Sequence, residues 1–207
     1  MTRIKCCGMT RAEDALLAAR LGADAIGLVF TARSKRQVTL RQARAIVVAL
    51  PPFVTTVALF MDDDAALVRR VLDEVKPTLL QFHGDESDAW CAQFGHPFLK
   101  AIAMGEGMAA LARLHDYPSA VGLLLDGHAA GEPGGSGKVF DWSLLPTDLA
   151  QPLILAGGLH PANVADALRT SHPWAVDVAS GVESAPGIKD PDRLDAFIRA
   201  VRAADAE

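Results

Sequence analysis

The chain has 207 residues, half of them hydrophobic, which suits one well-filled core and is short for two independent domains. Its formal net charge of −5 provides no broad basic field, so we expect no nucleic-acid partner, although local groups could still bind a small phosphorylated molecule. The N-terminus lacks the apolar run of a secretory signal, and no stretch has the ~18 uninterrupted apolar residues of a membrane span. We therefore expect a cytoplasmic protein without membrane contact.

Cysteine usage argues against disulfides and metal. The three cysteines, Cys6, Cys7 and Cys91, cannot all pair, and adjacent Cys6 and Cys7 in an extended segment should point to opposite faces. A zinc site would need Cys or His pairs at short spacing in two places, and only one vicinal pair occurs. We expect reduced thiols and no metal.

Apolar, β-rich runs recur about every 25 residues, and most are followed by a turn and a stretch with helical periodicity. The predicted strands are RIKCC (3–7), AIGLVF (25–30), VTTVALF (54–60), LLQF (79–82), PFLKAI (97–102), VGLLLD (121–126), LILA (153–156) and AVDVA (175–179). The helical stretches are 11–22, 40–51, 63–75, 86–95, 108–117, a short 140–146, 162–171 and 191–207.

Eight strands alternating with eight helical stretches predict an α/β fold, a closed (β/α)8 TIM barrel formed as a single domain over residues 1–207. Fully apolar strands fit a sheet buried on both faces. The alternative is an open doubly wound sheet. That fold would normally carry a G-x-G-x-x-G turn after its first strand, where this chain has CGMT.

In such a barrel the active site forms at the carboxyl ends of the strands. Several polar side chains fall there: Cys7, Arg36, Gln81, His83, Asp126 and Asp177. Cys7 could be a nucleophile or base, or simply a small core residue. Asp126 follows an apolar run and could be a protonated acid, or could instead cap a helix or pair with a cation.

Arg36 has a planar guanidinium group that could bind a carboxylate through two N–H groups, or it is a solvated loop residue. His83 could carry a proton or contact substrate, or be satisfied by a neighbour at the rim. Lys5 shares strand parity with Cys7 and should point into the barrel, where it would need a carboxylate partner that the sequence does not identify.

Two glycine-rich loops suggest a phosphate site. AGGLHPANV follows the seventh strand and SGVESAPG the eighth, the positions from which barrels of this class often bind phosphate through backbone N–H groups. Such glycines also serve as plain turns, but their occurrence after both strands favours phosphate. A third glycine-rich segment, GHAAGEPGGSGK after strand 6, predicts a functional loop or a flexible exposed one.

These stretches together resemble the phosphoribosylanthranilate isomerase family along nearly the whole chain. The matching motifs are KCCGMT, GADAIGLVF, SKRQV, LLQFHGDE, LLLDG, GGSGKVFDW, LILAGGLHPANVADAL and AVDVASGVESAPGIKD. The chain departs from the family pattern at Lys35, usually proline, at Ala179, usually serine, and at Cys6, usually aliphatic.

The resemblance implies an isomerase of tryptophan biosynthesis that catalyses an Amadori rearrangement without cofactor or metal. It implies that Cys7 is the general base, that Asp126 is the general acid and that Arg36 binds the anthranilate carboxylate. Further substrate contacts fall on Gln81, His83, Gly135 and Asp177, and the phosphate site falls on Gly157, Gly158, Ser180 and Gly181. Members of the family are monomers or homodimers, and the sequence leaves that choice open.

Two rival functions stay open at this point. One is another phosphosugar enzyme on the same fold, such as a ribulose-phosphate epimerase, which should have metal ligands. The other is a noncatalytic phospho-metabolite binding protein, which should lack an acid/base pair at the rim. A related aminoaldose phosphate, such as the histidine-pathway substrate, is a less favoured substrate because its second phosphate arm would need another anion site.

Overall fold

Eight parallel strands close into a barrel in the order of the chain, as the sequence predicts. This is a computed structural model, and it describes residues 1–105, 108–127, 141–142, 145–146 and 149–207. The barrel strands are β1 (Arg3–Cys6), β2 (Ala25–Val29), β3 (Thr55–Phe60), β4 (Leu79–Phe82), β5 (Phe98–Ala103), β6 (Gly122–Asp126), β7 (Leu153–Leu155) and β8 (Ala175–Val178). Pairing of β1 with β8 closes the barrel, which rules out the open doubly wound sheet.

Seven helices in the described part of the chain pack around the barrel. They are α1 (Ala12–Leu21), α2 (Leu40–Ala49), α3 (Ala65–Glu74), α4 (Asp88–Ala92), α5 (Met108–Leu111), α6 (Val164–Ser171) and α7 (Pro191–Ala204). A 3₁₀ turn, Ala112–Asp116, continues α5 to the end of its predicted stretch. The predicted short helix at 140–146 lies partly outside the described residues.

Side chains close the N-termini of several helices. Thr39 and Gln42 form a reciprocal capping box at α2, and Asp64 and Ser87 cap α3 and α4. Asp190 accepts two backbone N–H bonds at α7, where Pro191 occupies the first turn. These caps satisfy N–H groups that a helix leaves without partners, so local sequence sets where the helices begin.

The hydrophobic core has two layers separated by the sheet. The outer layer packs strands against helices, and the inner one fills the barrel with small and branched side chains: Val57, Leu99, Ala101, Leu124, Ile154, Ala156 and Ala175. Cys6 lies in the outer layer, whereas Cys7 contacts Val29 and Leu59 inside the barrel. The predicted opposite orientation of the two thiols is therefore correct, and all three cysteines are free.

An antiparallel hairpin follows the barrel, formed by β9 (Glu183–Ala185) and β10 (Ile188–Lys189). A 3₁₀ turn, Ser180–Val182, joins it to β8. The sequence interpretation treats this segment only as a glycine loop. In the described residues, no helix is long and apolar enough to cross a membrane.

Candidate functional site

A cavity opens at the carboxyl ends of the barrel strands and encloses about 700 Å³, including the part open to solvent. Its walls combine residues from the ends of the strands with residues from the loops that follow them. The polar and glycine members are Cys7, Thr31, Ser34, Arg36, Gln81, His83, Asp126, Gly157, Gly158, Asp177 and Ser180.

Most residues singled out from the sequence therefore meet in one cavity. Gly181 is adjacent, in the 3₁₀ turn that starts at Ser180. Gly135 lies outside the described residues. No group of three or more potential metal ligands occurs in the part of the chain that the structure describes.

Cys7 follows the last residue of β1 and is 6% exposed, with its side chain facing the cavity. Its backbone N–H donates to Val178 O at 2.8 Å, which extends the β1–β8 pairing by one step. A Cβ at Gly27 of β2 would lie 2.6 Å from Cys7 Sγ, so this glycine makes room for the thiol. Burial raises the pKa of Cys7, while Lys5 opposes the increase.

The carboxylate partner of Lys5 is Asp177. The two residues are register partners on β1 and β8, and Lys5 Nζ lies 2.8 Å from Asp177 Oδ2 inside the barrel. Burial disfavours the charged lysine, but the charges of Asp177 and Cys7 outweigh it and raise the pKa of Lys5. Burial likewise raises the pKa of Asp177 against the opposing effect of Lys5.

Asp126 is the last residue of β6 and is buried. Its Oδ2 lies 3.6 Å from His83 Nε2, and His83 Nδ1 lies 3.1 Å from Gln81 Nε2. When the Gln81 amide donates to Nδ1, the proton of the neutral imidazole is on Nε2, directed towards Asp126. Gln81 and His83 thus connect β4 to the proposed acid on β6.

Two cavity oxygens are buried without a hydrogen-bond partner among the described residues. They are Gln81 Oε1 and Asp177 Oδ1. Buried acceptors are usually paired in folded proteins, and both residues line the cavity. A ligand with hydroxyl or N–H donors would satisfy them.

The glycine loops contact one another. Gly157 and Gly158 have φ values of +86° and +64°, a region that side chains rarely adopt. A Cβ at Gly181 would collide with the carbonyl oxygen of Leu159, so the loop after β8 packs directly on the loop after β7. This close packing requires glycine and brings both loop backbones to the cavity, as an anion site needs.

Arg36 lies in the loop after β2 and is half-buried, with its stem packed over Gly8. Its Nε and Nη2 donate to Glu183 Oε1 and Oε2 at 2.8 and 2.7 Å. The sequence predicts a guanidinium available to a substrate carboxylate; the structure shows one of its edges already paired. Lys35 is exposed, and Ser34 Oγ accepts from the Arg36 backbone N–H at 3.1 Å, so the loop turns without the usual proline.

Glu183 and Lys189 are buried beside the cavity and are not apparent as site residues from the sequence alone. Lys189 Nζ donates to Glu183 Oε1 at 2.8 Å and to the Cys7 carbonyl at 2.7 Å. Both residues occur in the motif SGVESAPGIKD, which contributes only Ser180 and Gly181 to the sequence-based site. From the sequence alone, Glu183 and Lys189 could each pair with many other residues. Only the folded hairpin brings Glu183 to Arg36 and Lys189 to the carbonyl of Cys7.

The sequence model of the N-(5'-phosphoribosyl)anthranilate isomerase family matches residues 4–200. The N-(5'-phosphoribosyl)anthranilate isomerase of Pseudomonas fluorescens strain Pf0-1 is 54% identical over 200 residues, covering 97% of this chain and 98% of that protein.

Solved structures agree with this similarity. The crystal structure of phosphoribosyl anthranilate isomerase from Thermotoga maritima has a TM-score of 0.91 at 40% identity, covering 98% of this chain and all of that one. Another structure of the enzyme, in complex with reduced 1-(o-carboxyphenylamino)-1-deoxyribulose 5-phosphate, has a TM-score of 0.85 at 36% identity, covering 98% and 100%. A third contains monomers generated from the dimeric Thermotoga maritima enzyme, with a TM-score of 0.84 at 35% identity and the same coverage.

Proposed function

This chain belongs to the N-(5'-phosphoribosyl)anthranilate isomerase family, and we propose that its cavity performs the isomerisation of that family with Asp126 as general acid and Cys7 as general base. The reaction is an aldose–ketose isomerisation of tryptophan biosynthesis. It converts N-(5-phosphoribosyl)anthranilate into 1-(2-carboxyphenylamino)-1-deoxyribulose 5-phosphate. The observation that carries the assignment is the presence of a buried carboxyl group and a buried thiol in one cavity with two glycine loops.

The substrate's phosphate binds between the glycine loops after β7 and β8. Gly157, Gly158, Ser180 and Gly181 contribute backbone N–H groups there, because Gly157 and Gly181 leave room for the close packing that brings the loops together. The same position is common for phosphates on this fold. Ala179 and Ser180 both line the cavity, and Ser180 keeps one hydroxyl group in this loop.

Ring opening uses Asp126. The protonated carboxyl group donates to the ribose ring oxygen as the bond from that oxygen to C1 breaks, and the anthranilate nitrogen donates electrons to form an iminium ion. His83, 3.6 Å from Asp126 Oδ2, can orient the carboxyl group through its imidazole. Asp126 is buried at the end of β6, which limits the access of water to its carboxyl group.

Proton abstraction uses Cys7. The iminium cation acidifies the C2 hydrogen, the thiolate removes it, and the resulting enolamine tautomerises to the ketone. Lys5 and Lys189 provide positive charge near the thiol and favour its ionised form. Asp177 Oδ1 and Gln81 Oε1 accept hydrogen bonds from substrate hydroxyl groups.

The remaining end of the substrate carries the anthranilate carboxylate, which binds Arg36. Glu183 occupies the Nε side of the guanidinium, so the carboxylate uses the terminal N–H groups. A second phosphate-bearing arm, as in the related aminoaldose phosphate, would need another anion site. Among the described residues only one pair of glycine loops lines the cavity.

The test is turnover of N-(5-phosphoribosyl)anthranilate by the purified protein, with and without EDTA. We expect product formation that EDTA leaves unchanged, because acid–base chemistry of these side chains requires no metal. Absence of turnover would refute the isomerase assignment. Loss of turnover in EDTA would instead favour a metal-dependent phosphosugar enzyme.

We further propose that two copies associate through the amino-terminal end of the barrel. Phe53 is 97% exposed there and Trp174 is 55% exposed, and both border a mainly apolar cavity together with Val121. Exposed aromatic groups beside an apolar cavity are typical of an interface. A second copy could bury each Phe53 in the cavity of the other, and the Thermotoga maritima enzyme, from which the monomers with 35% identity were generated, is dimeric.

A further inference from the structure

The hydrogen bonds of the Arg36 guanidinium to described residues all go to Glu183. The pair is bidentate, at 2.8 and 2.7 Å, and fixes the plane of the guanidinium. A guanidinium has five N–H bonds, and this pairing uses the Nε–H and one N–H of Nη2. The end formed by Nη1 and Nη2 therefore keeps a second edge that matches a carboxylate.

Lys189 adds a second cation to the same carboxylate. Its Nζ lies 2.8 Å from Glu183 Oε1, and both side chains are almost fully buried. Burial raises the pKa of Glu183, but Arg36 and Lys189 outweigh it and hold the pKa below its ordinary value. The buried cluster contains two cations and one anion, and a bound carboxylate would neutralise the excess charge.

The cluster is also attached to the proposed base. Lys189 Nζ donates to the carbonyl oxygens of Cys7 at 2.7 Å and Ala179 at 3.1 Å. Glu183 and Lys189 are cross-strand partners in the β9–β10 hairpin. One hairpin thus holds both the backbone of Cys7 and the side chain of Arg36.

We propose that Glu183 and Lys189 are positioning residues that fix where the aromatic carboxylate of the substrate binds relative to the thiol of Cys7. Glu183 orients the free edge of Arg36, and Lys189 preserves the positive charge that attracts the carboxylate while it fixes the end of β1. This inference rests on the proposed function and adds to it the recognition of the substrate's aromatic acid.

The test compares two ligands by calorimetry: reduced 1-(o-carboxyphenylamino)-1-deoxyribulose 5-phosphate and its 1-phenylamino counterpart, which lacks only the carboxylate. The proteins are the wild type, Glu183→Gln and Lys189→Met. Glu74→Gln is the control, because Glu74 forms an exposed pair with Arg70 on α3. We expect the wild type and the control to prefer the carboxylate ligand, and both site variants to lose about tenfold of that preference while binding the phenylamino ligand as before.

Each outcome decides the proposal. An equal loss of affinity for both ligands would show that the residue has a merely structural role. An unchanged preference for the carboxylate ligand would show that the residue does not position the carboxylate. Either result would overturn the proposal. If circular dichroism shows that Glu183→Gln does not fold, Lys189→Met and the shorter Glu183→Asp are tested instead. Their affinities for the two ligands are compared in the same way. Failure of the proposed function would appear separately, as a wild-type protein that does not turn over N-(5-phosphoribosyl)anthranilate.

Discussion

Lys5 and Asp177 form a buried ion pair, 2.8 Å from Nζ to Oδ2, that joins the first and last strands of the barrel. The two residues lie in register where β1 and β8 close the sheet. Cys7, two residues after Lys5, has its side chain on the same face. The pair therefore neutralises two charges inside the barrel and also places a cation close to the proposed base.

Replacing Lys5 with methionine should lower the free energy of unfolding by about 3–5 kcal/mol, because it leaves the buried Asp177 carboxylate without its partner. The double variant Lys5→Met, Asp177→Asn should recover much of this loss, since no buried charge is left. Urea unfolding followed by circular dichroism measures both. A double variant less stable than Lys5→Met would contradict this account.

The proposed acid and base should be separable from binding. Cys7→Ser and Asp126→Asn are expected to lower kcat by about 10²–10⁴-fold each, the usual contribution of positioned proton transfer. Affinity for the reduced product analogue should change little, because neither group is assigned to hold the phosphate or the carboxylate. Steady-state kinetics and calorimetry test the two parts. If either variant kept near wild-type kcat, the role assigned to the replaced residue would be wrong.

The state of the Cys7 thiol should govern the pH dependence of the free enzyme. Since burial raises the pKa of Cys7, the group is mostly a neutral thiol near pH 7, and its thiolate fraction increases about tenfold per pH unit below that pKa. The rate of alkylation by iodoacetamide should rise as pH increases from about 6 to 8.

The Cys7→Ser variant supplies the background for the alkylation measurement, because Cys6 and Cys91 are buried and their pKa values are raised to about 12. An alkylation rate that is flat between these pH values would mean that the thiolate is already formed at neutral pH, against the prediction.

Gly157→Ala should weaken both stability and phosphate binding. A Cβ there would collide with the backbone N of Gly127 and lie 2.8 Å from Asp126 Oδ1, in addition to the strain of φ +86°. Gly95→Ala is the matched control, because Gly95 also has positive φ, +59°, but nothing lies within 4 Å of its added Cβ. We expect about 1 kcal/mol of destabilisation in the control and clearly more in Gly157→Ala.

Affinity for the product analogue, measured by calorimetry, distinguishes the two glycines further. Only Gly157→Ala should bind more weakly, since Gly157 lines the cavity and Gly95 does not. Equal effects of the two substitutions on both stability and affinity would show that the loop after β7 tolerates a side chain.

Phe53→Ser should shift the protein towards the monomer if the amino-terminal end of the barrel is the interface. The substitution removes the most exposed large aromatic side chain of the described residues and should not destabilise the fold, because Phe53 packs little. Analytical ultracentrifugation of wild type and variant measures the change. A wild-type protein that sediments as a monomer, or an unaffected dimer, would reject this interface.

The sequence by itself determined the alternation of strands and helices, the starts of the helices, and the rim positions of Cys7 and Asp126. Each depends on local properties: side chains alternate along a strand, capping residues act on the next turn, and parallel strands all present their carboxyl ends to one side. The family motifs then identified the reaction. The eight strands lie where these expectations put them, whereas α3, α4 and α6 begin two residues later than predicted and the stretch 140–146 lies partly outside the described residues.

Only the tertiary structure decided which charged groups meet. Lys5 finds Asp177 across 172 residues of sequence, and Arg36 finds Glu183 across 147. These pairings depend on how β1 and β8 register when the barrel closes and on where the β9–β10 hairpin folds, and neither follows from local periodicity. The available edge of Arg36 and the charge around Cys7 are therefore properties of the closed barrel.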